Sequence, residues 1–324
     1  MKSLSFPNGD GMPVVGLGTW KSRPGEVGAA VRKALRIGYR HIDCAPIYGN
    51  EAEIGEALVR CFDEGLVDRD DLWVTSKLWN DRHARDDVVP ALEETLKDLE
   101  LDFLDLYLIH WPVAQPRGVV VPRTGEDLLS LEERPLLETW RGMEAALEMG
   151  LCRHIGVSNF SVDKLGGLLE RAVHPPEANQ VELHPYLQQE RLVEFCQSHQ
   201  VAVTAYSPLG SRDRPKSMKR PEEPLLLEDP TIQEIAERLD AEPAQVLLAW
   251  ALHRDTAVIP KSVNPDHLRA NLAATTVDLD EEAMGRIGEL ERGFRYVDGS
   301  EWVKEGSPYT MESVWDEPRD SGIG

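Results

Sequence analysis

No apolar run in this 324-residue chain approaches the eighteen or so residues that a membrane span needs. Residues 1–10, Met-Lys-Ser-Leu-Ser-Phe-Pro-Asn-Gly-Asp, lack the apolar stretch of a secretory signal. Cysteine is sparse and scattered: Cys44, Cys61, Cys152 and Cys196 form no C-x-x-C pair. In a chain of this size that reads as free thiols in a reducing compartment, so a cytoplasmic location is expected. No Walker-type Gly-Lys-Ser/Thr is present. The Gly16-Leu17-Gly18 run lacks the third glycine of a dinucleotide fingerprint, and Trp20 stands where a helix should open. A dinucleotide, if bound, is held some other way. Basic residues are also few, 35 Lys and Arg against 57 Asp and Glu, a net charge of −22. That balance excludes nucleic acid and anionic membrane as partners. The acidic residues are spread along helical segments and read as a solvated, self-repelling surface. No metal site is expected.

What is present is alternation. Strand candidates lie at 14–18, 40–43, 73–77, 104–110, 154–157, 179–183, 202–206 and 257–260. Several are nearly continuously apolar, as strands buried on both faces should be. Amphipathic helical patterns lie between them, at 26–37, 51–61, 86–99, 136–149, 162–169, 190–198, 231–239 and 265–272. Gly38 suits a helix C-terminus, Asn50 an N-cap, and Asn264-Pro265 the opening of the last helix. Repeated strand–helix units imply a parallel sheet with right-handed crossovers. Eight units without a linker or composition break predict a closed (β/α)8 barrel. One domain is expected over 1–324, including a C-terminal loop at 293–324. Residues 3–12 read as a hairpin with an Asn-Gly turn that caps the barrel bottom. Segments 112–135 and 207–230 exceed normal connections and follow the fourth and seventh strands, on the face where long loops are usually functional.

Four polar residues end or follow apolar runs: Asp43, Tyr48 just beyond it, Lys77 and His110. Parallel α/β enzymes build their sites at the carboxyl ends of strands. A carboxylate, a phenol, an ammonium and an imidazole gathered there make a proton-transfer site. Taken singly, each has a plainer reading. Asp43 and Lys77 could be a buried ion pair, Tyr48 a loop aromatic and His110 a core histidine.

In context these residues resemble the aldo-keto reductase superfamily. Residues 38–45 (Gly-Tyr-Arg-His-Ile-Asp-Cys-Ala), with Tyr48-Gly49-Asn50-Glu51, look like its first signature. Residues 101–112 look like its second, residues 155–160 its third, and Ile259-Pro260-Lys261-Ser262 its cofactor motif. The resemblance covers almost the whole chain. It implies a (β/α)8 barrel that reduces aldehydes and ketones with NADPH, without a Rossmann domain. It implies Tyr48 as general acid, Lys77 as the cation that lowers the phenol below its ordinary value of about 10, Asp43 as partner of Lys77, and His110 as hydrogen-bond donor to the carbonyl oxygen.

The resemblance further implies that Ser158, Asn159 and Gln180 hydrogen-bond the nicotinamide carboxamide and that Tyr206 stacks on its ring. Ser207, Leu209 and Ser211 fall on the pyrophosphate side, and a Lys21–Asp213 link closes the loop over the cofactor. Thr19 and Trp20 also border the cofactor site. Lys261 and Ser262, with Val263, Asn264, His267 and Asn271, surround the adenosine 2′-phosphate. The arginine and glutamate common in this helix are here His267 and Ala270, and Asp266 opposes a phosphate. NADH therefore stands as an alternative to NADPH. Substrate contacts are expected from Trp20, Tyr48, Trp79, His110 and Trp111, which wall an apolar pocket. Trp302, Tyr309 and Trp315 in the tail are expected to fold over the mouth. The expected partner is a small carbonyl compound and the expected state a monomer. Competing readings are a non-catalytic regulatory or structural barrel, in which Tyr48 beside Lys77 has no purpose, and a phosphate-sugar isomerase, which leaves Lys261-Ser262 unexplained.

Overall fold

In a computed structural model, residues 2–317 of the chain are described. The chain enters through a hairpin in which β1 (Ser3–Ser5) pairs antiparallel with β2 (Gly11–Pro13). Gly9 in its turn has φ +94°, a conformation open to glycine at no steric cost. Eight strands then form one parallel sheet in sequential order. They are β3 (Leu17–Gly18), β4 (His41–Asp43), β5 (Trp73–Leu78), β6 (Leu104–Ile109), β7 (Cys152–Ser158), β8 (Ala178–Glu182), β9 (Ala202–Tyr206) and β10 (Thr256–Val258).

The sheet closes on itself. Val15 bridges Val258 and Gly18 bridges Lys261 in parallel register, and the Gly16 N–H donates to the Val258 carbonyl at 2.8 Å. The glycines make this seam possible. A Cβ on Gly18 would stand 2.6 Å from the Ile259 carbonyl oxygen, and one on Gly16 would stand 2.7 Å from His41 Nδ1. The Gly-x-Gly run therefore serves barrel closure.

Helices α1 (Val27–Ile37), α2 (Glu51–Asp63), α3 (Arg85–Leu99), α4 (Leu136–Glu148), α5 (Val162–Leu169) and α6 (Glu190–Ser198) connect successive strands. Helices α7 (Pro230–Arg238) and α8 (Pro243–His253) lie between β9 and β10, and α9 (Pro265–Ala273), α10 (Glu281–Gly288) and α11 (Met311–Trp315) follow. The expected strands and helices are all present, with ends shifted by a few residues. Helices α8, α10 and α11 were not expected, the last falling within the segment read as a C-terminal loop. Residues 246–252 of α8 are all buried, so it shows no amphipathic period.

The hairpin plugs the bottom of the barrel. Phe6 and Met12 pack with Trp73, Leu106, Leu108, Ala178 and Ala257. Beside them His154, 1% exposed, holds Glu177 at 2.8 Å and Asp10 at 3.0 Å. At the other end the loops after β6 and β9 and the tail fold over the strand ends. Trp111, Trp302, Tyr309 and Trp315 share one apolar cluster there. Lys164 on α5 anchors Asp316 at 2.5 Å, and Arg295 anchors Glu317 at 2.8 Å. Residues 318–324 of the expected C-terminal loop lie outside the described residues.

Candidate active site

Asp43 ends β4, Tyr48 closes a single 3-10 turn after it, Lys77 lies near the end of β5, and His110 follows β6. Parallel register brings these ends to one rim. Lys77, with no exposed surface, donates to Asp43 Oδ1 at 2.5 Å and to the Cys44 carbonyl at 2.8 Å. Its Nζ stands 3.5 Å from the Tyr48 hydroxyl. The second Asp43 oxygen accepts from Gln180 Nε2 at 2.7 Å, and its backbone carbonyl accepts from Thr19 Oγ1 at 2.7 Å. The Tyr48 and His110 rings meet edge to face at 5.9 Å.

Environment sets the charge of each group. Burial opposes the Lys77 cation, but Asp43 and Tyr48 outweigh it and hold the ammonium above its ordinary range. Burial pushes the Tyr48 phenol up to about 12, and Lys77 offsets only part of that rise. The net direction is opposite to the sequence expectation, because desolvation of the half-buried ring outweighs one cation. At neutral pH Tyr48 therefore carries its proton, as a donor must. Burial, with Lys77 and His83, keeps His110 far below the ordinary imidazole range. His110 is thus neutral, one ring nitrogen bearing a proton and the other a lone pair. A phenol and a neutral imidazole over a fixed cation can protonate and polarise one oxygen.

These residues stand at the base of a cleft of about 1140 Å³. Along one side, Ser158 Oγ donates to the Gln180 carbonyl at 2.8 Å. Asn159 Nδ2 donates to the His110 carbonyl at 2.9 Å, and the Tyr206 hydroxyl donates to Asn159 Oδ1 at 2.8 Å. Asn159 and Ser207 hold φ values of +63° and +48°, costly for residues with a Cβ and found where a site dictates the backbone. Farther along, Lys21 Nζ pairs with Asp213 at 2.6 Å and Ser211 Oγ at 3.0 Å, and Lys261 approaches the other Asp213 oxygen at 3.5 Å. The expected Lys21–Asp213 link is formed and carries the loop after β9 across the groove.

Ser207, Leu209, Ser262, Val263, Asn264 and His267 also line the cleft. Ser262 Oγ accepts from the Asn264 N–H at 3.1 Å, and Asn264 caps α9 through the Asp266 N–H at 2.9 Å. Asn271, on the same helix, is buried and is not among the residues that line the cleft. Arg269 turns to Asp266 at 3.1 Å.

The mouth is aromatic. Trp79 meets His110 at 5.1 Å and Trp302 at 6.0 Å, and Trp111 meets Trp302 at 5.5 Å. Trp20 lies 6.4 Å from Tyr48. Trp79 Nε1 donates to the Val120 carbonyl at 2.8 Å, fixing the loop after β6. Sequence reading missed Val120, Met218, Val297, Ser300, Glu301 and Lys304, which also line the cleft. They sit on loops and short 3-10 turns, away from any strand end, and no sequence signal marks them.

A closed (β/α)8 barrel with a phenol, ammonium, carboxylate and imidazole at its carboxyl rim falls among barrel enzymes that transfer protons to a small molecule. Sequence relatives narrow that class. The aldo/keto reductase family profile matches residues 13–292. An aldo/keto reductase of Synechocystis is 54% identical over 98% of this chain and 97% of its own. Aldo-keto reductase family 1 member A1 of Gallus gallus is 47% identical over 91% and 90%. A structure of the aldose reductase from Schistosoma japonicum superposes with a TM-score of 0.87 at 39% identity, covering 98% of this chain and all of that one. The chain belongs to the aldo/keto reductase family. Membership supports carbonyl reduction of small molecules with a nicotinamide cofactor. Among the described residues no helix is long and apolar enough to cross a membrane.

Proposed function

We propose that the protein reduces aldehydes and ketones to alcohols with NADPH, and that Tyr48 is the general acid. One observation carries this reading. The Tyr48 hydroxyl stands 3.5 Å from Lys77 Nζ, which is itself fixed by Asp43 at 2.5 Å, at the floor of a cleft shared with His110. Tyr48 gives its proton to the carbonyl oxygen, and neutral His110 donates a hydrogen bond to the same atom. Lys77 stabilises the phenolate left behind, and Asp43 holds Lys77 in place. The aromatic mouth excludes water from the reacting atoms. When bound, the nicotinamide supplies the hydride that reaches the carbonyl carbon.

The donor set fits a dinucleotide. Ser158, Asn159, Gln180 and Tyr206 form a tied, neutral hydrogen-bonding platform beside Asp43. Lys21 and Lys261 supply cations farther along the cleft, beside the positive amino end of the α9 dipole, as phosphates require. Lys261 and Ser262 favour the 2′-phosphate of NADPH, and Asp266 opposes it. Lys261 must also leave Asp213 to reach a phosphate, which narrows the margin over NADH. The aldose reductase relative and the member A1 relatives make aldoses and other aldehydes the first substrates to try. We place the enzyme in the cytoplasm, acting as a monomer built on one barrel domain.

Loss of reduced-nicotinamide absorbance with a panel of aldoses, aromatic aldehydes and ketones tests the activity. NADPH binding without turnover of any aldehyde would return the protein to the non-catalytic class. Dissociation constants for NADPH and NADH, read by tryptophan quenching from pH about 8 to about 6, test the phosphate site. NADPH should bind more tightly than NADH. Equal affinities at every pH would remove Lys261 and Ser262 from that role.

A further inference from the structure

The charged groups along the cleft are nearly all engaged. Lys21 and Lys261 share Asp213, Arg212 pairs with Glu228 at 3.1 Å, Asp298 with Arg220 at 2.7 Å, and Asp43 with Lys77. Glu301 and Lys304 line the same cleft and have no ion-pair partner among the described residues. Glu301 lies in the 3-10 turn Ser300–Trp302. Trp302 of that turn is buried against Trp79 and Trp111, and Trp79 in turn meets His110. The turn that carries Glu301 is therefore anchored to the aromatic wall at the His110 end of the cleft.

Two further observations concern the charges around Glu301. Its carboxyl is raised, by desolvation first although the residue keeps an exposed edge, and Asp298 adds to that rise more than Lys304 subtracts. Across the cleft, Glu301 is among the charges that raise the Tyr206 phenol, after burial, Glu182 and Tyr48 and against Arg295. The wall that holds this turn includes Trp79 and Trp111, with Trp20 also in the lining, and tryptophan ring faces attract cations.

We propose that Glu301 is a specificity residue that selects aldehydes bearing a cationic substituent over those bearing a carboxylate. The proposal rests on the reductase reading above and names the substrate class of the same site. An ammonium group placed beyond the aldehyde meets the Glu301 carboxylate and a tryptophan face together. A carboxylate there meets Glu301 and Asp298 instead. A unit charge roughly 7 Å from another across a half-open cleft changes binding by about tenfold.

The test uses para-trimethylammonio-benzaldehyde, para-carboxybenzaldehyde and unsubstituted benzaldehyde with wild type, Glu301→Gln, Glu301→Lys and Lys304→Met. Each aldehyde is compared between variant and wild type, which cancels the substituent's own electronic effect. In Glu301→Gln the kcat/KM ratio of cationic to neutral aldehyde should fall about tenfold, and the ratio of carboxylated to neutral should rise by a similar factor. These changes should lie mainly in KM, because the charge is remote from the reacting atoms. Glu301→Lys should reverse the order, and high salt should shrink the wild-type preference. Ratios that stay within twofold in both Glu301 variants overturn the proposal. So does a wild-type preference for the carboxylate that vanishes in Lys304→Met. Binding of the three corresponding benzyl alcohols, read by tryptophan fluorescence, asks the same question without turnover. If no aldehyde is reduced but the alcohols still sort by charge through Glu301, the reductase reading fails and the selectivity stands.

Discussion

Replacing Lys77 by Met removes an ammonium with no exposed surface that bonds Asp43 at 2.5 Å and the Cys44 carbonyl at 2.8 Å. The Met side chain roughly fills the aliphatic stem, so the cavity left is small and the electrostatic loss dominates. Asp43 stays buried, 2% exposed, with Gln180 Nε2 at 2.7 Å as its remaining side-chain donor. Breaking one partner of a buried pair costs about 3–5 kcal/mol because the other charge is left uncompensated. Asp43→Asn in the Lys77→Met background removes that orphaned charge, so the double variant should recover about 0.5–3 kcal/mol relative to additivity. Chemistry should suffer independently of stability. Without Lys77, burial and the Asp43 carboxylate raise the Tyr48 phenol with no cation to offset them, and turnover should fall about 10²–10⁴-fold. NADPH affinity should stay close to wild type. Urea unfolding followed by tryptophan fluorescence gives the stability terms, and steady-state kinetics gives the rest. A cost below about 1 kcal/mol with strict additivity in the double variant would refute the buried-pair account. A large loss of NADPH binding with unchanged turnover would make Lys77 a phosphate ligand.

Asp213→Asn cuts the strap that bonds Lys21 at 2.6 Å. The partners are partly exposed, so the link is worth about 0.2–1 kcal/mol, and NADPH should leave roughly two- to fivefold faster in stopped-flow, an unchanged rate contradicting the strap. Gly18→Ala places a methyl 2.6 Å from a backbone carbonyl at the barrel seam. It should cost about 1–3 kcal/mol by overpacking, and a wild-type melting curve would show that the seam yields freely. His154 between Asp10 and Glu177 is opposed by burial, but its two carboxylate partners hold its imidazolium above the ordinary range. Its stabilisation should be complete below the unfolded value of about 6.5 and disappear as pH rises through the folded value. Arg153 also faces Asp10, and His154→Gln should flatten that part of the stability-versus-pH curve. An identical profile in the variant would remove His154 from it.

The strands were legible because burial on both faces makes short apolar runs, and their order alone gives the barrel. The catalytic rim was legible because parallel topology puts every strand's carboxyl end on one side, so Asp43, Lys77 and His110 converge without any knowledge of loops. Helix α8 was not, since a helix apolar all round loses its period. The capping box of Glu242 and Gln245, with Pro243 at the first turn, was the signal that could have found it. The glycines at 16 and 18 read as a damaged nucleotide fingerprint because their constraint is a contact with Ile259 and His41, far away in sequence. The direction of the Tyr48 shift needed its enclosure as well as its neighbour. Glu301 and Ser300 were out of reach, since a tail's path over the cleft is set by Trp302 and Trp315 packing on Trp111.

The most direct measurement is turnover of NADPH and an aldehyde by Tyr48→Phe, with NADPH binding followed in parallel by tryptophan quenching. The substitution deletes one hydroxyl, 3.5 Å from Lys77 Nζ, and keeps the ring against His110 at 5.9 Å. The protein should fold, bind NADPH close to normally, and lose about 10²–10⁴-fold in kcat, the usual contribution of a positioned general acid. A variant that binds NADPH and keeps more than about a third of wild-type kcat, where a general acid should cost at least about 10², would contradict the role given to Tyr48.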